Sequence, residues 1–113
     1  MRAKISLIHK VEGVGDNPDT FTVTEMVSDY KVTKQSAVSG NEISHYNAMM
    51  FLLPFGDYQI SQCDHIVIGS VSAEITSASL NDVLEASDSF EIRTIDEVEK
   101  KYGVNYQYKV VVV

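Results

Sequence analysis

The chain has 113 residues, a net charge of −7 from sixteen acidic and nine basic side chains, 44% hydrophobic residues and 22% charged ones. That length holds one domain, 1–113, with one modest core, and the composition is that of a folded globular protein rather than a disordered one. The acidic balance argues against a phosphate-binding surface for nucleic acid or anionic membrane, and a lone Cys63 excludes an internal disulfide.

The β-branched residues Val (15), Ile (9) and Thr (6) outnumber Leu (5) sixfold, which favours strands, because branched side chains pack well on a pleated surface. Residues 1–10 carry no apolar segment of the signal-peptide kind, and the longest apolar run, Ala48 to Leu53, is too short to span a bilayer. In 3–11, Ala3, Ile5, Leu7, His9 and Val11 alternate with Lys4, Ser6 and Lys10, the pattern of a half-buried strand. Residues 12–19, with Gly, Asn and Pro, read as a loop. Residues 20–27 read as a second strand and 30–35 as a third. Ser39-Gly40-Asn41 marks a turn. In 43–53 a helical period competes with a buried strand ended by Pro54, and the short aromatic segment 46–53 favours strand. His65 to Ile75 begins as a continuous apolar strand, with Gly69 marking a bulge or bend.

Residues 79–86 form the best helix, with Ser79 as cap, Asp82 at the capping-box position and Leu80, Val83 and Leu84 as the apolar stripe. Residues 90–95 are strand-like, and 96–102 have the spacing of a single helical turn stopped by Gly103. From Tyr102 to Val112, apolar and aromatic residues alternate with polar ones, predicting a long closing strand. The expected fold is mainly β: a small closed β-barrel or sandwich of six to eight strands with one or two short helices, closed because open edges invite aggregation.

Chemistry-bearing patterns are sparse. Cys63 and His65 supply two ligands where a structural zinc site needs four, and the thiol is expected in a turn, buried. Neighbours along a strand point to opposite faces, so Asp64 and His65 are poorly placed as a base for a Cys63 nucleophile. His9 lies on the apolar face of its strand, the position of a hydrogen-bonded core histidine. Asp16, Asn17 and Asp19 lack the remainder of a calcium loop. Tyr102, Tyr106 and Tyr108 have few basic neighbours for base stacking, so a core or protein-interface role fits better. No catalytic, metal or cofactor residue is expected, and no cofactor.

The second half has a further pattern: Asp64-His65-Ile66-Val67-Ile68-Gly69, a short helix around Leu80 to Leu84, the strand Phe90 to Ile95, a connector with Gly103, and Tyr106-Gln107-Tyr108-Lys109-Val110. Over residues 58–112 this resembles the minor capsid and head-completion proteins of tailed phages, the stopper or head–tail connector group. The charged connector 96–102 and the four terminal valines depart from that group's pattern. The resemblance implies a virion component at the head–tail junction, assembled in the host cytoplasm as a homo-oligomeric ring. Its partners would be other neck proteins, the portal or adaptor and a tail-side protein, without sequence-specific nucleic-acid binding and without a membrane. It further implies a loop inserted between strands, here residues 33–46, whose Ser36, Ser39, Gly40, Asn41 and Ser44 have the composition of a mobile segment. A ring of subunits each carrying −7 would repel phosphates and let a duplex slide. Val110, Val111, Val112 and Val113 leave no polar face, so this run is either a subunit contact or a central strand covered on both sides. The alternative to the phage reading is a small β-barrel interaction module, or a subunit of a bacterial complex, that binds through its edge strands.

Overall fold

The computed structural model describes residues 2–72, 74–98 and 103–113, with side chains described outside 33–39 and 42–48. Six strands, β1 (Arg2–Val11), β2 (Thr20–Ser39), β3 (Glu42–Leu53), β4 (His65–Ile68), β5 (Ser89–Glu97) and β6 (Tyr108–Val112), close into one antiparallel barrel in the order β1-β2-β3-β6-β5-β4. A single helix among the described residues, α1 (Leu80–Glu85), packs outside it. The expected mainly-β, closed barrel is the fold observed.

Alternation decides the core. Ile5 and Leu7 of β1, Phe51 and Leu53 of β3, Ile66 of β4, Ile92 of β5 and Val110 and Val112 of β6 fill the barrel interior with almost no exposed surface. Burying each such side chain contributes about 1.5–3 kcal/mol. A bulge between Ile92 and Thr94 inserts Arg93 and resets the phase of β5, so Ile92 and Ile95, three residues apart, both pack on the core.

A second apolar cluster lies on the other face of β1 and β4. Ile8, Val67 and Ile75 are buried there beneath Phe21, Val71, Leu80, Val83 and Leu84. β1 is therefore covered on both faces over residues 5–9, not on one, because α1 and the segment before it roof its outer side. The helix stripe is as expected, but its cap is not. The Ser79 hydroxyl makes no capping bond; it accepts from the Thr76 backbone N–H at 2.9 Å and donates to the Glu74 carbonyl at 3.2 Å. Six residues cannot hold a helix alone, so the apolar roof holds it.

Several boundaries differ from the sequence reading. The strands expected at 20–27 and 30–35 are one strand, β2. The polar pair Ser28–Asp29 does not end it, because Ser28 Oγ bonds to the Leu52 carbonyl at 2.8 Å and Asp29 pairs with both Arg2 and Leu52. The expected loop at 33–46 is instead the paired end of a β2–β3 hairpin, in register from Thr33 opposite Ala48 to Ser39 opposite Glu42. Gly40 at the tip takes φ +62, which an L side chain resists. The strand expected at 65–75 stops at Ile68, where Gly69 takes φ +101. β5 runs on through Asp96 and Glu97 in place of the start of a helical turn, and the rest of that expected turn, 99–102, lies outside the described residues. The closing strand starts at Tyr108, not Tyr102, since Gly103 takes φ +84 and pairing with β3 begins only at Gln107 N–H to Leu53 C=O.

Gly69 also ties β4 to β1: its N–H donates to Lys4 C=O at 2.8 Å, and its carbonyl accepts from buried Ser6 Oγ at 2.7 Å. An added Cβ there meets nothing within 4 Å, so the expected cost of Gly69→Ala is the strain of holding an L side chain at φ +101. The expected cost is about 1–3 kcal/mol, read as a lower urea midpoint with an unchanged slope.

Candidate functional site

The polar centre of the barrel is His9 with Asp64. His9 comes from the end of β1 and Asp64 from the residue before β4; both are buried, and His9 Nδ1 lies 2.6 Å from Asp64 Oδ2. Asp64 also accepts from the Ser61 N–H at 2.7 Å and the Lys10 N–H at 3.3 Å. Its backbone joins in, with Asp64 C=O taking the Ile92 N–H at 2.8 Å. Asp64 thus fastens the 61–64 turn to β1 through its carboxylate and to β5 through its backbone. The carboxylate's partners lie on β1 and in the 61–64 turn, so the pair pins one to the other, and His9 is the hydrogen-bonded core histidine that its position suggested. The sequence reading weighs Asp64 only as a base for Cys63 and misses the pair, since the two residues are 55 positions apart.

Cys63 sits in that turn at φ +71 and is exposed, not buried. Among the described residues no three His, Cys, Asp or Glu side chains converge as metal ligands. Asp19 is engaged by the Gly13 N–H at 2.8 Å and Lys10 Nζ at 3.3 Å. The Gly13 hydrogen bond, and after it Lys10, hold the Asp19 carboxyl below the usual range. No described helix is long and apolar enough to cross a membrane.

The tyrosines divide. Tyr108 packs edge-on against Tyr58, with ring centroids 5.8 Å apart, and both lean on the core. Tyr106 is half-buried and Tyr102 lies outside the described residues. Burial, and secondarily Tyr108, push the Tyr58 hydroxyl up to about 12. Its O–H donates to the Pro54 carbonyl at 2.6 Å, a bond that only the neutral form can make. A group with a raised folded pKa favours the fold below its unfolded value and loses that contribution as pH climbs through the folded one. Absorbance titration is expected to find one tyrosine ionising near pH 12, absent in Tyr58→Phe, with stability declining from about pH 10 upward.

The valine run resolves position by position. Val110 and Val112 are buried in the core of a strand flanked by β3 and β5, so neither offers contact surface. Val111 is half-buried on the outer face and Val113 is 62% exposed. Ser36, Ser39 and Ser44 lie in the hairpin strands, and Gly40 and Asn41 at its exposed tip; the side chains of the three serines fall outside the described set.

Two surface features remain, both made by β2. Past Asp29 its partner β1 is finished, and above Met49 β3 has no β6 beside it. Residues 32–48 therefore form a two-stranded ribbon beyond the barrel wall, about 20–25 Å long at 3.3–3.4 Å per residue. The radius of gyration, 15.5 Å, exceeds the roughly 13 Å of a compact domain of this length, as a projecting ribbon requires.

The other feature is an open edge. In an antiparallel ladder a residue's N–H and C=O face the same neighbour, and the side alternates. Lys4 C=O and Lys10 N–H face the β4 side, so the odd residues Ile5, Leu7 and His9 face β2 and meet its even residues. Phe21, Val23, Glu25 and Val27 consequently turn their N–H and C=O groups away from β1. β2 pairs with β3 only from Asp29 onward, and no described strand takes these groups. A groove flanks this edge on each face. One, of about 530 Å³, is lined by Phe21, Val23, Pro18 and Ile75 with Asp19 and Glu74 at its rim. The other, of about 400 Å³, is lined by Thr22, Thr24, Asp57, Tyr58 and Gln59. Val23 and Val27 are exposed along the strand between them.

No protein-family model, curated protein or solved structure matches this chain.

Proposed function

We propose that this chain is a non-enzymatic structural protein of the tailed-phage head–tail junction, a ring-forming minor capsid or head-completion component that resides in the virion. The observation that carries the reading is the ribbon at 32–48, projecting from a small closed barrel at the position where the resemblance over residues 58–112 implies an inserted segment. The polar interior supports it, since the buried Asp64 and His9 are spent on holding strands together. So does the net charge of −7, which suits a subunit that surrounds a duplex without gripping it. Its partners on this reading are the portal or adaptor on one side and a tail-side protein on the other.

The deciding experiment is the composition and morphology of particles made with and without the gene. The protein is expected in purified virions at a fixed copy number, and its deletion is expected to leave filled heads without attached tails. Infectious particles lacking the protein would overturn the reading. A second reading, a β-barrel module that recognises an extended peptide, is favoured by the open β2 edge; it predicts a soluble partner and no place in a particle.

A further inference from the structure

From the open edge of β2 and the grooves beside it, we infer a strand-docking site whose occupant is the ribbon of a second copy of this chain. An added strand needs unpaired backbone groups to bond with and room on both faces for alternating side chains. Phe21, Val23, Glu25 and Val27 supply the first; the grooves of about 530 and 400 Å³ supply the second, one on each face of the same strand.

Charge chooses the occupant. The docking region is acidic: Asp19 and Glu74 rim one groove, Asp57 lines the other, and Glu25 lies on the strand between. Lys10 and Lys4 pair with Asp19 and Glu25, while Glu74 and Asp57 are exposed with no ion pair among the described residues. Residues 30–48 hold Lys31 and Lys34 against Glu42, a net +1, which leaves −8 on the remainder of the chain. The ribbon's charge thus opposes that of the edge, and unlike the cations of β1, whose Arg2, Lys4 and Lys10 are already ion-paired with Asp29, Glu25 and Asp19, it is carried on a segment that projects from the wall. It also has backbone to offer, because the even residues of 32–38 face the side that β1 vacates beyond Arg2. Each copy carries both a docking edge and a docking ribbon on different parts of its surface. Such a contact is head-to-tail, and it closes into a ring when the rotation between copies permits. The inference rests on the self-association in the proposed function, not on the phage assignment.

The test uses the full chain, isotopically labelled, and a synthetic peptide of residues 29–39. Added peptide is expected to slow amide exchange at Phe21, Val23, Glu25 and Val27 by at least about tenfold, leaving the β1-paired amides of Thr22 and Thr24 as they were. Val23→Pro removes a donor that faces outward and spares every β1–β2 bond, so the barrel keeps its fold while peptide affinity drops at least about tenfold. A peptide with Lys31→Glu and Lys34→Glu is expected to bind more weakly by a similar factor, a difference that shrinks in high salt. If Val23→Pro unfolds, Val23→Lys with Val27→Lys blocks the same edge without a backbone change. Unchanged exchange at those four amides, or full peptide binding by the blocked edge, overturns the inference. Either result leaves particle composition as the separate test of the neck assignment, and peptide binding by a chain absent from particles removes that assignment alone.

Discussion

Phe51→Ala is expected to destabilise the barrel by about 3–5 kcal/mol, the largest effect of any apolar truncation among the described residues. Phe51 is the largest fully buried side chain among the described residues. Its ring lies 5.8 Å from that of Tyr30 and 6.0 Å from that of Phe90, so it joins β2, β3 and β5 across the interior. Truncation removes the transfer free energy of the ring and leaves a cavity whose walls belong to a closed sheet. A closed sheet cannot collapse inward without breaking strand pairing. A domain of this size has about 5–15 kcal/mol of stability in all, so the variant would stand near its unfolding threshold. Urea denaturation followed by tryptophan-free probes, such as far-ultraviolet circular dichroism, should place its midpoint far below that of the parent. Phe51→Leu should cost about 1–2 kcal/mol, and Val14→Ala, at an 81% exposed loop position, less than about 0.5 kcal/mol. Equal losses at Phe51 and Val14 would mean that the interior is not packed as described.

The barrel was legible because its core is written locally. Ile5 and Leu7 announce an inward face through alternation alone, whereas Gly69, a bulge or bend within a longer strand in the sequence reading, ends its strand at Ile68. What stayed hidden depends on distant partners. Ser28 and Asp29 look like a break, and only Leu52 and Arg2, brought in from elsewhere, keep the backbone extended through them. That same continuity makes the site. β2 changes partner from β1 to β3 at Asp29, and each half is left with one free edge. No pattern within 20–39 encodes a change of partner, so neither the open edge nor the ribbon could be read from composition. The serine- and glycine-containing segment 33–46 resembles a loop in its residues, yet a hairpin tip needs the same residue types. Arg93 shows the limit in miniature: one inserted residue returns Ile95 to the core, where strict alternation would have turned it outward.

Asp64→Ala is the second large effect, expected at about 3–5 kcal/mol, because it strands three donors at once. His9 Nδ1, the Ser61 N–H and the Lys10 N–H all end on this carboxylate, and the His9 bond is buried while the two backbone bonds are partly so. Asp64→Asn keeps one carbonyl oxygen in nearly the same place, so its cost should be about half. His9→Phe removes one of the three donors together with its need for a partner. If the pair acts as a pin, the loss in the double variant His9→Phe with Asp64→Ala will fall short of the sum of the single losses by about 1–3 kcal/mol. Amide exchange separates this from general loosening. Ser61 and Lys10 should exchange much faster in Asp64→Ala while Ile66, bonded within the barrel wall, keeps its protection relative to global stability. Strict additivity would show instead that His9 and Asp64 are neighbours without being partners, and the 61–64 turn would then be held chiefly by its bonds to β5: Cys63 N–H to Ile92 C=O, Ile92 N–H to Asp64 C=O and Gln62 Nε2 to Arg93 C=O.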